Sequence, residues 1–99
     1  MIPLRARRMK MNIIPVDRAG QYKMATLSNY TKDQIEQILG FAPNIKDDPS
    51  KVSYSWGFTI DGELCGIWDY YHSHNQNEWS VFGPISTLQK LFGFTNLTS

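Results

Sequence analysis

Between Val52 and Ile60 the chain alternates strictly. Val52, Tyr54, Trp56, Phe58 and Ile60 are apolar, and Ser53, Ser55, Gly57 and Thr59 between them are small. A period of two sends successive side chains to opposite faces, so the run predicts a strand with one core-forming face and one face of small residues. Asp61-Gly62 follows at once. That dipeptide is the strongest short hairpin signal, because a type I′ turn needs positive φ at both central positions. Residues 63–71 are therefore expected to return as a second strand. A third, Trp79 to Phe82, ends at Gly83-Pro84, where proline suits a helix's first turn.

Two helices flank this meander. "TKDQ" from Thr31 fits a capping box, and Ile35, Ile38 and Leu39 then fall on one helical face before Gly40 ends the element. Ile85, Leu88, Leu91 and Phe92 give the last helix its apolar stripe, with Gly93 as its cap. Both stripes need cover, and the apolar face of the meander supplies it. The expected fold class is α+β: a small two-layer domain of helix, three-stranded antiparallel meander and helix, with a basic N-terminal tail.

Residues 25–99 read as that single domain, and residues 1–24 as a basic segment that is either flexible or an edge strand. Pro15 confines the second option, Met11 to Val16, to a sheet edge. Arg5, Arg7, Arg8, Lys10, Arg18 and Lys23 stand against Asp17 in residues 1–24, a net +5. In residues 25–99 four lysines face eight carboxylates, a net −4. The leader and the body therefore favour different partners. Aromatics make up 13% of the chain, enough for a core without metal or disulfide, since each ring buries about 150–250 Å². The lone cysteine, Cys65, reads as a small buried hydrophobe. Met11 to Val16, broken by Asn12 and Pro15, falls far short of the roughly 18 apolar residues of a membrane span. A soluble, cytoplasmic protein is the expectation.

The hairpin admits two registers. A two-residue Asp61-Gly62 loop pairs Ile60 with Glu63 and puts Cys65, Ile67, Asp69 and Tyr71 on the Trp56 face, leaving Leu64, Gly66, Trp68 and Tyr70 above Ser53, Ser55, Gly57 and Thr59. A three-residue loop with a G1 bulge reverses every side chain. Turn chemistry favours the first. Apolar alternation favours the second, and the greater apolar area buried by uniting Trp56, Phe58, Leu64 and Trp68 tips the expectation towards it. Trp56 and Trp79 are expected in the core, and Trp68 is expected to stand partly exposed.

Reaction chemistry finds little footing. His72, His74 and Glu78 could offer metal ligands, yet "HSHNQNE" reads as a polar loop. Asp69, a charge in a strand, is better suited to accepting hydrogen bonds from a neighbouring loop or an indole than to acid–base work. No nucleophile elbow, phosphate loop or metal motif occurs in the sequence, and no enzyme activity, catalytic residue, metal site or cofactor is expected. The expected partner surface is Trp68, Asp69, Tyr70, Tyr71, His72 and His74 with the meander edge. Arg5, Arg7, Arg8 and Lys10 are candidate contacts to a phosphate backbone.

"SWGFTIDGELCGIWDYYHS" and "EWSVFGPISTLQKLFG" resemble small uncharacterised bacteriophage proteins that share SWGF, DG, C-x-IWDY, WS-x-x-GP and a terminal LFG. The resemblance covers roughly residues 38–93 and excludes the basic leader. It implies a viral origin and no particular activity; proteins of this class commonly bind a component of the bacterial host. The leading expectation is thus a non-enzymatic phage-encoded protein that binds and inhibits a host factor, such as a defence or transcription component. The alternatives are sequestration of a nucleotide signal by a homo-oligomer and nucleic-acid binding through the basic arm.

Overall fold

A computed structural model of the chain describes residues 11–18, 22–46, 54–69 and 77–98. Among them are strands β1 (Ile13–Pro15), β2 (Ala25–Ser28), β3 (Ser55–Ile60), β4 (Glu63–Trp68), β5 (Glu78–Phe82) and β6 (Leu97–Thr98), with helices α1 (Lys32–Leu39) and α2 (Ile85–Phe92). No helix among the described residues is long and apolar enough to cross a membrane.

The α+β class stands, but the three-stranded meander does not. The strands form one antiparallel six-stranded sheet in the order β1-β3-β4-β5-β2-β6. The expected meander is its β3-β4-β5 portion. Three short strands extend it: β1 pairs Ile13 with Ile60, β2 pairs Leu27 with Trp79, and β6 pairs Leu97 with Leu27. Each has four residues or fewer, too few for a period of two to stand out from the surrounding sequence. Burial holds β2 and β6, as Ala25, Leu27 and Leu97 are sealed in the core, whereas the half-buried to exposed β1 is held by its pairing with β3.

The turn resolves the register against the bulge. Asp61 and Gly62 both have positive φ, 51° and 87°, and Ile60 pairs directly with Glu63. The local conformational demand of a two-residue turn outweighs the apolar pattern. Trp68 consequently lies across from Ser55, on the face away from Trp56, and it is nevertheless buried, at 7% exposure. The expectation of a partly exposed Trp68 fails along with the bulged register.

Trp56, Phe58, Ile60, Cys65, Ile67, Trp79 and Val81 form a core with Ile35 and Leu39 of α1 and Leu88, Leu91 and Phe92 of α2. Helix α1 starts at the expected capping box: Thr31 Oγ1 accepts the Gln34 N–H at 3.2 Å, and Gln34 Oε1 accepts the Thr31 N–H at 2.8 Å. Two of the buried indoles donate to backbone carbonyls, which offsets their removal from water. Trp56 Nε1 donates to Phe41 O at 3.1 Å and Trp79 Nε1 to Tyr30 O at 2.8 Å. The two rings meet edge to face at 5.4 Å.

The opposite face is divided. Gly57 and Gly66 pair across β3 and β4, and the backbone at Arg18 lies so close that a Cβ on Gly57 would overlap its carbonyl. Ile45 Cδ1 covers the same spot at 2.8 Å. Beyond β1 the edge of β3 is closed by Val16 N–H donating to Gly57 O at 3.0 Å and by the amides of Asn44 and Ile45 donating to Ser55 O. An otherwise bare sheet edge is thereby capped. Toward the Asp61-Gly62 end, the same face carries Ile14, Thr59, Leu64 and Phe82.

Candidate docking groove

β4 and β5 pair only through Gly66↔Phe82, Ile67↔Val81 and Trp68↔Ser80. Continued by two residues, the register would set Leu64 opposite Pro84. Proline has no N–H to give to a ladder, and the chain instead turns at Gly83 into α2. On the other flank of β5, Met24 N–H donates to Val81 O at 2.8 Å, bringing the residues before β2 alongside Phe82. Where β5 departs, a groove of about 460 Å³ opens, lined by Tyr22, Met24, Glu63, Leu64, Phe82, Gly83 and Pro84.

The lining is apolar apart from the Tyr22 hydroxyl and one carboxylate. Tyr22 stands edge-on to Phe82, with ring centroids 5.2 Å apart and planes at 89°, a geometry favoured by the ring quadrupoles. Tyr22 is 61% exposed and Met24 38%. Glu63, at the hairpin end, supplies the carboxylate. Cys65 lies beneath the groove, where a Cβ on Gly83 would come within 2.8 Å of its Sγ. That thiol is fully buried and donates to Glu63 O at 3.6 Å. Burial pushes its pKa from 9.0 up to about 12, so it is neither a nucleophile nor a thiolate ligand at neutral pH.

The residues singled out in the sequence fare differently. Trp68 is a buried sheet residue, flanked across the strands by Ser55 and Ser80, which are also buried. Asp69 latches the open end of the hairpin: its Oδ1 accepts the Tyr54 N–H at 2.6 Å and its own N–H donates to Tyr54 O at 3.2 Å. Tyr70, Tyr71, His72 and His74 lie outside the described residues, as do Arg5, Arg7, Arg8 and Lys10. Among the described residues no three His, Cys, Asp or Glu side chains gather as a metal site would need.

The groove residues escape a reading of the sequence for a definable reason. Tyr22 and Met24 belong to the segment that reads as a tail, and Leu64 reaches the open face only in the register that apolar alternation disfavours. The nearest signal is Pro84, which cannot continue a ladder and so marks where β5 must stop pairing; that it falls opposite Leu64 follows from the β4–β5 register, which the sequence does not fix. Comparison with known protein families, with curated proteins and with solved structures gave no match to this chain.

Proposed function

We propose that this protein is a non-enzymatic binding module that docks a protein partner in the groove between Tyr22, Leu64 and Phe82. One observation carries the reading. Of the five exposed large hydrophobics among the described residues, Tyr22 and Met24 line the groove, and Ile14 stands on the same sheet face beside Thr59, the cross-strand partner of Leu64. Apolar side chains gathered in this way on an open face mark an interaction surface. Removing them from water is worth roughly 25 cal/mol for each Å² covered.

The lining favours a protein over a nucleotide. Its one ionisable acid is Glu63 and it holds no lysine or arginine, so it would repel phosphate where a nucleotide site attracts it. In keeping with the bacteriophage resemblance, the proposed partner is a bacterial host protein and the proposed consequence is its inhibition.

Affinity capture from bacterial extract tests this, followed by titration of the purified captured protein. The Tyr22→Ala/Leu64→Ser double variant should lose roughly 2 kcal/mol of binding, the scale of a hot-spot aromatic, while folding normally. Equal affinity for wild type and double variant contradicts the reading.

A further inference from the structure

Resting on that reading, we infer that the groove accepts an extended partner segment with an aromatic or branched apolar side chain and a lysine or arginine within two residues of it. The apolar side chain enters between Tyr22, Leu64 and Phe82, and the cation meets Glu63.

Two independent features point to this occupant. The first is backbone geometry. In a two-residue hairpin the flanking pair, here Ile60 and Glu63, exchanges the closing hydrogen bonds. The backbone N–H and C=O of the next residue, Leu64, then point away from β3, to the side that β5 has left. Pro84 cannot donate to that carbonyl. Among the described residues Leu64 thus offers a short stretch of unclaimed ladder to an extended chain, the mode in which a peptide adds to a sheet edge and places alternate side chains in pockets.

The second feature is charge. Glu63 is exposed and lines the groove, and among the described residues it takes part in no ion pair, whereas Glu36 is held by Lys32. Asp61 stands two residues away at the same hairpin tip, and residues 25–99 carry a net −4. A cation on the incoming segment lowers the electrostatic free energy at this rim, while a carboxylate raises it.

A random-peptide library displayed on phage and selected against the full-length protein tests the inference. Enriched sequences should pair Phe, Tyr, Leu or Ile with Lys or Arg at that spacing. A synthetic consensus peptide should lose affinity by about tenfold or more on Glu63→Lys, the scale of a close charge pair, and reselection on that variant should exchange the basic residue for Asp or Glu. Glu63→Lys should unfold at the wild-type denaturant midpoint, because the side chain is exposed. Peptides that lack a basic residue, or that bind Glu63→Lys unchanged yet fail on Tyr22→Ala/Leu64→Ser, overturn the inference and leave the docking groove standing. Peptides indifferent to both variants overturn the two together, and a selection that enriches nothing overturns the inference.

Discussion

The side chain of Asn44 satisfies both backbone polar groups of Gly57. Its Nδ2 donates to Gly57 O at 2.9 Å, its Oδ1 accepts the Gly57 N–H at 3.0 Å, and Nδ2 also reaches Val16 O at 3.0 Å. A carboxamide here takes the place of a neighbouring strand's peptide group and ties β1, the loop after α1 and β3 into one edge. Asn44→Ala removes the acceptor of the Gly57 N–H, while Gly57 O keeps the Val16 N–H. A part-buried hydrogen bond left unmade costs about 1–3 kcal/mol, so urea denaturation should show a loss of roughly that size. A midpoint equal to wild type would mean that water replaces the amide without penalty.

Gly57 and Gly62 are required for opposite reasons, and alanine separates them. Gly62 has φ of 87°, and no atom lies within 4 Å of the place a methyl would take, so Gly62→Ala meets backbone strain alone, about 1 kcal/mol or somewhat more. A methyl on Gly57 meets the Arg18 carbonyl and Ile45. It should displace the covering segment at a cost of several kcal/mol, about 2–4 on the scale of overpacked sites. Denaturant midpoints of the two variants check the order, and a Gly57→Ala protein as stable as Gly62→Ala contradicts the described contact.

Trp68 is a stability residue. Truncating a buried tryptophan to alanine costs about 3–5 kcal/mol, so Trp68→Ala should unfold at markedly lower denaturant and lose binding only as it loses structure. Tyr22→Ala, at an exposed ring, should change stability by no more than about 0.5 kcal/mol. Near-ultraviolet circular dichroism of the two proteins distinguishes them.

Cys65 couples stability to alkaline pH. Its folded-state pKa, about 12, lies above the ordinary 9.0 because burial disfavours the thiolate. Between those values the unfolded chain releases a proton that the folded chain keeps, so unfolding gains with rising pH. The contribution is complete below pH 9 and is lost as pH climbs towards 12. The stability difference between wild type and Cys65→Ala should therefore narrow or reverse across that window, with a slope approaching about 1.4 kcal/mol per pH unit. Below the ordinary thiol pKa it should be flat. Ellman's reagent should also leave the native thiol unreacted at a mildly alkaline pH of about 8.

The elements legible in the sequence are those whose signals are local. Thr31 and Gln34 announce α1 by hydrogen-bonding each other across three residues, and the Trp56-Phe58-Ile60 alternation announces β3 without reference to anything distant. β1, β2 and β6 owe their existence to partners 43 to 72 residues away, from Pro15 opposite Phe58 to Thr26 opposite Thr98. No local pattern encodes such pairings. The groove is hidden for a related reason, since it arises from where β5 stops pairing. Asp69 lies nearer to hand: a carboxylate in a strand calls for a hydrogen-bond donor, and the Tyr54 amide supplies it.

Amide chemical-shift mapping tests the docking groove most directly. The isotope-labelled protein is titrated with the purified bacterial protein it captures. The largest changes are expected at residues 22–24, 63–64 and 82–83, with Tyr54 and the α1 amides unmoved. Changes concentrated at Tyr54, Asp69 and α1, with the groove amides silent, would contradict the account.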